Sequence, residues 1–405
     1  MSNLLEKASI LTTPTAYNDG KLLSVKPNTS VGDFDFTRNS SATRVASNGL
    51  IEDVASGLSR IDYTDGVGHI LLEPQSTNAA IYSGNASQWV FGGSGNTNNT
   101  TRVDNQSSPD GETNASLFSR NTGTSGWFGT GNLSSTNGQT YTHSLFVKKG
   151  TSSTVIIKNV SNSPQSSVTY NIDTDTFTVE NNATGNSLNY GNGWYRVEMT
   201  FEYTNATGSS SQIRHILEDG KSMYVFGAQL EQLPYATSYI PTSGSTFTRL
   251  GETLNNAGSS DLINSTEGVL YAEIAALTDD GSTRVIQLSD GTNSNRIFIG
   301  YWTSSNEIRA LVKAGNVTQV FQGSTSYDIL GFNKIAFKYK ENDFALWING
   351  VEVFTDTSGV TFPIGTLSQL DFDSNGSAYL HGKTKCVAVF KEALTDEELT
   401  CLTTI

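Results

Sequence analysis

Carboxylates spaced two residues apart are the side chains of this sequence best placed to do chemistry, because alternate strand positions project from one face of a sheet. Hydrolysis of a glycosidic bond needs such a pair at a fixed separation, with one carboxyl protonated and one ionised. Glu198 and Glu202 share a face, but it lies opposite the apolar run Val197, Met199, Phe201 and Tyr203, so both are expected to face solvent. Asp371 and Asp373 flank Phe372 with no third carboxylate in register. The chain therefore reads as one without enzymatic activity.

Metal-ligating types give little more. His69, His143, His215 and His381 lie far apart in sequence and form no metal-type pair. His143 alternates with apolar neighbours and is expected to be a half-buried strand residue. Cys386 and Cys401 make neither a disulfide framework nor a zinc site, and free buried thiols are expected. Asp279, Asp280, Asp290 and Asn293 offer loop oxygens of the kind Ca²⁺ takes. Asp-Asp-Gly and Asp-Gly are equally turn sequences, favoured by their backbone conformations. The turn reading is preferred, with Ca²⁺ as the alternative and no other cofactor implied.

Aromatic residues are the remaining candidates, since a ring can stack on the apolar side of a sugar. Trp89, Trp194 and Trp347 lie within or at the ends of expected strands and read as packing residues. Trp127 differs: in TGTSGWFGTG, Thr122–Gly131, the glycines give it no strand to belong to. Such a ring is either a binding platform or a plug between subunits. Tyr301 and Trp302 are the equivalent pair in the last third of the chain.

The elements that must position these residues are strands. At 405 residues, with 36% hydrophobic content and only 8 prolines, the chain suits several β-rich domains. Its net charge of −14, with no basic run longer than Lys148–Lys149, argues against nucleic acid. The N-terminal MSNLLEKASI has neither a charged n-region nor an apolar h-region, so no signal peptide is expected. No run approaches membrane-spanning length, and no membrane insertion is expected.

The expected fold class is all-β: an extended N-terminal attachment region, residues 1–80, followed by two tandem antiparallel β-sandwiches of jelly-roll type, 81–249 and 250–405. Residues 1–80 hold Leu22, Leu23, Phe34, Phe36, Ile70 and Leu71, too few for a core of their own. In the second region Tyr141–Lys148 and Arg196–Tyr203 alternate, and a hairpin turns at Asp173–Asp175. In the third, Asn349-Gly350 marks a two-residue hairpin, and Thr395 with Glu398 completes a capping box for a closing helix.

Four stretches carry a resemblance: FDFTRNSSATRV (34–45), NGLIED (48–53), HILLEPQSTN (69–78) and GAQLEQLPYATSYIPTSGSTFTR (227–249). They resemble connecting segments of bacteriophage virion structural proteins of the tail-fibre and head-fibre type. IYSGNASQW (81–89), an opening strand, with NGWYRVEMTF (192–201) and YVFGAQLE (224–231), resembles carbohydrate-binding jelly rolls. KIAFKYKENDFALWINGVEVF (334–354) and EALTDEELTCL (392–402) resemble concanavalin A-like and laminin G-like sandwiches. Glucanases of that fold carry Glu-x-Asp-x-x-Glu on one strand, which the Asp371 region does not complete.

The resemblance implies a phage virion surface protein, made in the host bacterial cytoplasm, that binds host-surface or environmental glycans non-covalently. Its N-terminal region would bind other virion proteins and organise a homotrimer, burying its apolar residues between chains. A purely structural capsid or tail component is the alternative, and a glycan-degrading tailspike a third reading.

Overall fold

Alternation of apolar and polar residues favours extended chain, and the molecule is built of antiparallel sheets, with α-helices only at Ser2–Leu5 and Asp396–Thr403 among the described residues. The structure is a computed structural model and describes residues 2–92, 99–205 and 207–404. Two compact units are present: Met1–Ser40, Val54–Pro74 and Gly251–Ile405 form the first, and Ser41–Asp53 with Gln75–Leu250 form the second. The expected 1–80 region is therefore not a separate body.

The second unit packs a six-stranded sheet on a seven-stranded one. Leu145, Val147, Val197, Met199 and Val225 from one sheet meet Val155, Ile157, Val168, Tyr170 and Ile213 from the other. The hairpin joining Ser166–Asn171 to Thr176–Glu180 turns at Asp175, which has a positive φ of 51°. Residues 81–89, expected as a strand, instead form a turn and the 3₁₀ helix Ala86–Gln88. Trp89 still packs inward, stacked on Phe118 with ring centroids 5.9 Å apart.

The outer face of the six-stranded sheet is also buried, against expectation. Phe146 packs there with Trp194, Phe226 and Tyr239. Beside them Glu198 is 8% exposed, so it does not face solvent. The cause is the segment following strand Ser222–Glu231, which folds back over the sheet. Gln229 Oε1 accepts from the Ile240 N–H (2.7 Å), Glu231 accepts from the Thr237 N–H (3.0 Å), and Arg196 donates to the Thr237 carbonyl (2.6 Å). A returning segment with so many backbone groups to satisfy needs polar side chains beneath it.

In the first unit an eight-stranded sheet faces a five-stranded one across a large apolar core. The N-terminal strands belong to this sandwich. Ile10–Thr12 and His69–Leu72 pair with Gly382–Phe390, and Phe34–Thr37 pairs with Thr253–Asn255. Leu22, Phe34, Phe36 and Ile70 thereby enter the core, and Phe34 meets Phe372 edge-on at 5.2 Å. The apolar residues expected to be buried between chains are largely satisfied within the unit itself, which removes the argument that led to a trimer.

Buried charge accompanies this docking. Arg38 Nη1 lies 2.6 Å from Glu252 Oε1, Arg60 also donates to that carboxylate, and Arg60 Nη1 lies 2.8 Å from Glu73. Burial alone pushes the Arg60 pKa down, but Glu252 and Glu73 together hold it above its ordinary value. The local signals at the other end are met. Asn349 and Gly350 both have positive φ, and Thr395 with Glu398 forms a reciprocal capping box. The capped helix sets Leu399 and Leu402 into an apolar cluster with Tyr271 and Trp347.

Candidate functional site

Strand Arg296–Tyr301 shows how the best surface is assembled. Ile297, Ile299 and Tyr301 point into the core, so Arg296, Phe298 and Gly300 lie on the outer face of the five-stranded sheet, with Trp302 following. Antiparallel register then aligns Gln287, Phe298, Leu311 and Phe321 in one row across four strands. A second row aligns Ser289, Arg296 and Lys313. Aromatic side chains and cations are thus brought together on one face of an acidic chain.

The indole of Trp302 stacks on Phe298, with centroids 5.6 Å apart and planes 14° from parallel, and meets Phe321 edge-on at 5.1 Å. Phe298 is buried, whereas Trp302 and Phe321 are half-buried. The Arg309 guanidinium sits 4.2 Å from the Phe321 centroid and is held by Glu307, 2.7 Å from its Nε. Burial works to raise the Glu307 carboxyl, but the Ser304 backbone N–H and Arg309 keep it below the usual carboxylate range. Arg309 is therefore a neutralised, positioned cation.

Arg296 is different. Its guanidinium lies 5.7 Å from the Phe298 centroid and donates to Asn293 Oδ1 (2.7 Å) and to the Ser374 hydroxyl. Among the described residues it has no carboxylate partner, and burial pushes its pKa down. Lys313 stands opposite it in register, adding a second positive charge. The half-buried indole and the guanidinium thus each lie within about 6 Å of the Phe298 ring; the first can stack on an apolar ligand face and the second can bind an anionic group.

The expected ligand residues fall differently. Tyr301 is fully buried, and its hydroxyl has no hydrogen-bond partner. It cannot share a surface with Trp302, because neighbours on a strand point to opposite faces. Trp127 does have a strand, Trp127–Gly129, paired with Val90–Gly92. Its ring packs against Gly92, and the Arg214 guanidinium lies 4.3 Å from its centroid, so it is a poorer platform than its sequence setting implied.

The expected Ca²⁺ ligands do not converge. Asp279 and Asp280 precede strand Arg284–Ser289 while Asp290 and Asn293 follow it, a separation of roughly 20 Å at about 3.3 Å per residue. Asp280 is bridged to Arg284 at 2.9 Å through both oxygens. Asp290 accepts from the Thr292 N–H and hydroxyl and from Asn295, while Asp279 accepts from Ser305 and Asn306. Asn293 accepts from Arg296 and Asn375. These contacts build the turns in which the four residues lie.

The paired carboxylates Asp371 and Asp373 are buried. Burial and, less strongly, the Asp373 charge push Asp371 up to about 6, against the Asn256 backbone N–H that favours the ionised form. Asp373 accepts from Asn255 and Asp371 from the Asn256 N–H, so the pair ties the end of strand Thr253–Asn255 to the segment around strand Gln369–Asp371. Sequence reasoning missed Arg296 and the contact between His143 and His215, whose Nε2 atoms lie 3.0 Å apart. Alternation around Phe298 was the available signal for the first; none existed for the second. Cys386 is buried as expected, but Cys401 is exposed.

Residues 270–400 match the family profile described as Laminin_G_3, the concanavalin A-like lectin/glucanases superfamily. No curated protein sequence matches the chain. Among solved structures, the CBM40 module of the Ruminococcus gnavus IT-sialidase is 15% identical with a TM-score of 0.30, covering 34% of this chain and 83% of that one. Domain 4 of AbnA, a GH43 extracellular arabinanase from Geobacillus stearothermophilus, solved with arabinotriose, is 14% identical with a TM-score of 0.31, covering 42% and 82%. The NanB sialidase of Streptococcus pneumoniae is 17% identical with a TM-score of 0.31, and this chain spans only 25% of its length. Residues 270–400 are thus similar to domains of the concanavalin A-like lectin/glucanases superfamily.

Proposed function

We propose that this protein is a non-catalytic glycan-binding protein of a bacteriophage virion surface, and that Trp302 with Arg296 forms its principal contact surface. The observation that carries the proposal is the outward Phe298–Trp302 stack beside a half-buried guanidinium with no carboxylate partner among the described residues. Stacking would hold the apolar side of a sugar ring, and Arg296 with Lys313 would select a carboxylate or sulfate group. An acidic glycan is the expected ligand. The virion assignment rests on the resemblance of the 34–78 and 227–249 segments to phage structural proteins. Weak sites repeated over one particle gain roughly 10²–10⁴ in avidity when several engage together.

A glycan array tests the reading. The full chain should bind acidic glycans, Trp302→Ala and Arg296→Gln should each abolish that binding, and melting temperature should be unchanged. No reducing sugar should be released from bound polysaccharide. Binding that survives both substitutions, or none by the unaltered chain, would overturn the proposal.

A further inference from the structure

The second unit contains a groove of about 660 Å³, lined by residues that lie between Gln75 and Thr246. That volume sits within the range of roughly 300–1,000 Å³ typical of small-ligand sites. The lining comes from strand Ser76–Asn78, residues 134–136, Ser209, the end of strand Ser222–Glu231 with the two residues after it, and Thr246.

Its chemistry is distinctive in one respect: every lining side chain is uncharged, in a chain with 39 acidic and 25 basic residues. Leu230, Leu233, Ala79 and the ring of Tyr141 supply apolar surface. Around it Ser134, Thr136, Ser209 and Thr246 are exposed hydroxyl residues, joined by the exposed carboxamides of Gln75 and Gln232.

The deeper polar atoms are already satisfied. Ser76 donates to the buried Glu231 carboxylate at 2.7 Å, Ser135 and Ser211 hydroxyls meet at 2.7 Å, and the Tyr141 hydroxyl accepts from the Thr136 N–H at 2.9 Å. Of the rim groups, Gln232 is held by Gln139 at 3.1 Å, which leaves Gln75 and the Ser134, Thr136, Ser209 and Thr246 hydroxyls to meet a ligand. A charged ligand would surrender hydration here without a countercharge. A wholly apolar one would cover the rim hydroxyls and leave them unpaired. A ligand with many hydroxyls and one apolar face meets both conditions.

We infer that this groove binds a neutral oligosaccharide. It is a second site, in a different unit from the Trp302 surface and with a different ligand class, and it does not depend on that surface.

The test is isothermal titration of the full chain with neutral cello-, malto-, manno- and galacto-tetraose, set against a galacturonate tetramer. At least one neutral tetraose should bind, and the galacturonate tetramer should gain nothing from the groove. Thr246→Arg and Ser134→Lys replace exposed rim residues, so melting temperature should hold while neutral binding weakens at least tenfold. Trp302→Ala should leave neutral binding intact. The inference is overturned if no neutral tetraose binds, if both rim variants bind as the unaltered chain does, or if Trp302→Ala alone removes neutral binding. Loss of acidic-glycan binding in Trp302→Ala reports only on the other surface.

Discussion

His143 and His215 face each other Nε2 to Nε2 at 3.0 Å in the core of the second unit, and both rings are fully buried. One comes from each sheet of the sandwich, with Phe128 5.1 Å from the His215 ring. Such a contact is a hydrogen bond only when one Nε2 carries the proton and the other accepts it, and burial favours the neutral form of both rings, in opposite tautomers.

This pair makes the second unit acid-sensitive. Burial pushes His215 down to about 3, and burial, the neighbouring ring and Arg196 hold His143 well below the ordinary histidine value. Unfolded histidines titrate near ~6.5, so the unfolded chain takes up protons first as pH falls. The pair's contribution is complete above pH ~6.5 and is lost progressively toward the folded values, by at most about 1.4 kcal/mol per pH unit per ring. Burial of Glu198 raises its carboxyl, which acts in the opposite sense and offsets part of the loss. Hydrogen-exchange protection in strands Thr140–Lys149 and Ser210–Leu217, taken relative to the intrinsic exchange rate at each pH, should fall from pH 7 to pH 4. His143→Gln with His215→Gln should flatten that dependence; an unchanged slope would place the acid sensitivity elsewhere.

Glu252 joins three N-terminal segments of the first unit, through Arg38, Arg60 and Glu73. It is fully buried between Arg38 and Arg60, and its Oε2 accepts from the Glu73 N–H at 2.9 Å. Removing one partner from a buried ion pair costs about 3–5 kcal/mol, because the other charge is left uncompensated. Glu252→Ala should therefore lower the unfolding free energy of this unit by about that amount in denaturant titration. A loss below ~1 kcal/mol would mean that the cluster behaves as a surface pair.

Tyr301→Phe should be neutral or stabilising, because the buried hydroxyl has no hydrogen-bond partner and removing it relieves a desolvation cost of about 1–3 kcal/mol. Tyr301→Ala should cost about 3–5 kcal/mol through the cavity it leaves, by analogy with other large aromatic truncations. Thermal melts of the two variants distinguish this core role from a surface role, in which both substitutions would leave stability alone.

Asp280 is an ion-pair partner for Arg284, whose side chain is only 7% exposed. Asp280→Asn should lower stability by about 0.5–3 kcal/mol, the usual span for losing a contact of this kind. The decrease should be equal in Ca²⁺ and in chelator. A loss seen only with Ca²⁺ present would restore the metal reading.

Local order was legible in the residues themselves. Alternation at Val197, Met199 and Phe201 identified a strand and its core face, because a strand's side-chain period is two. Asn349-Gly350 announced its turn, since few residues accept positive φ at both central positions. Thr395 and Glu398 announced the helix start through contacts made within one turn. All three signals act over a few residues.

The Trp302 surface was half legible. Its aromatic residue was identifiable, but pairing it with Tyr301 ignored the alternation that sends one of them inward. Arg296 carried no local mark, because its setting depends on Phe298 beneath it, Lys313 across from it and the lack of a carboxylate partner among the described residues.

The sequence alone determined that this is an all-β protein with sandwich cores, because apolar periodicity is local. Only the tertiary structure decided what covers the other face of each strand. Glu198 looked solvent-exposed, yet residues 237–240 fold back over its sheet. Phe34 and Phe36 looked like residues in search of another chain, yet strand Thr253–Asn255 takes them into the first unit's core. Burial is set by partners tens to hundreds of positions away along the chain, and a strand's pattern reports which side is apolar without reporting what lies against the polar side.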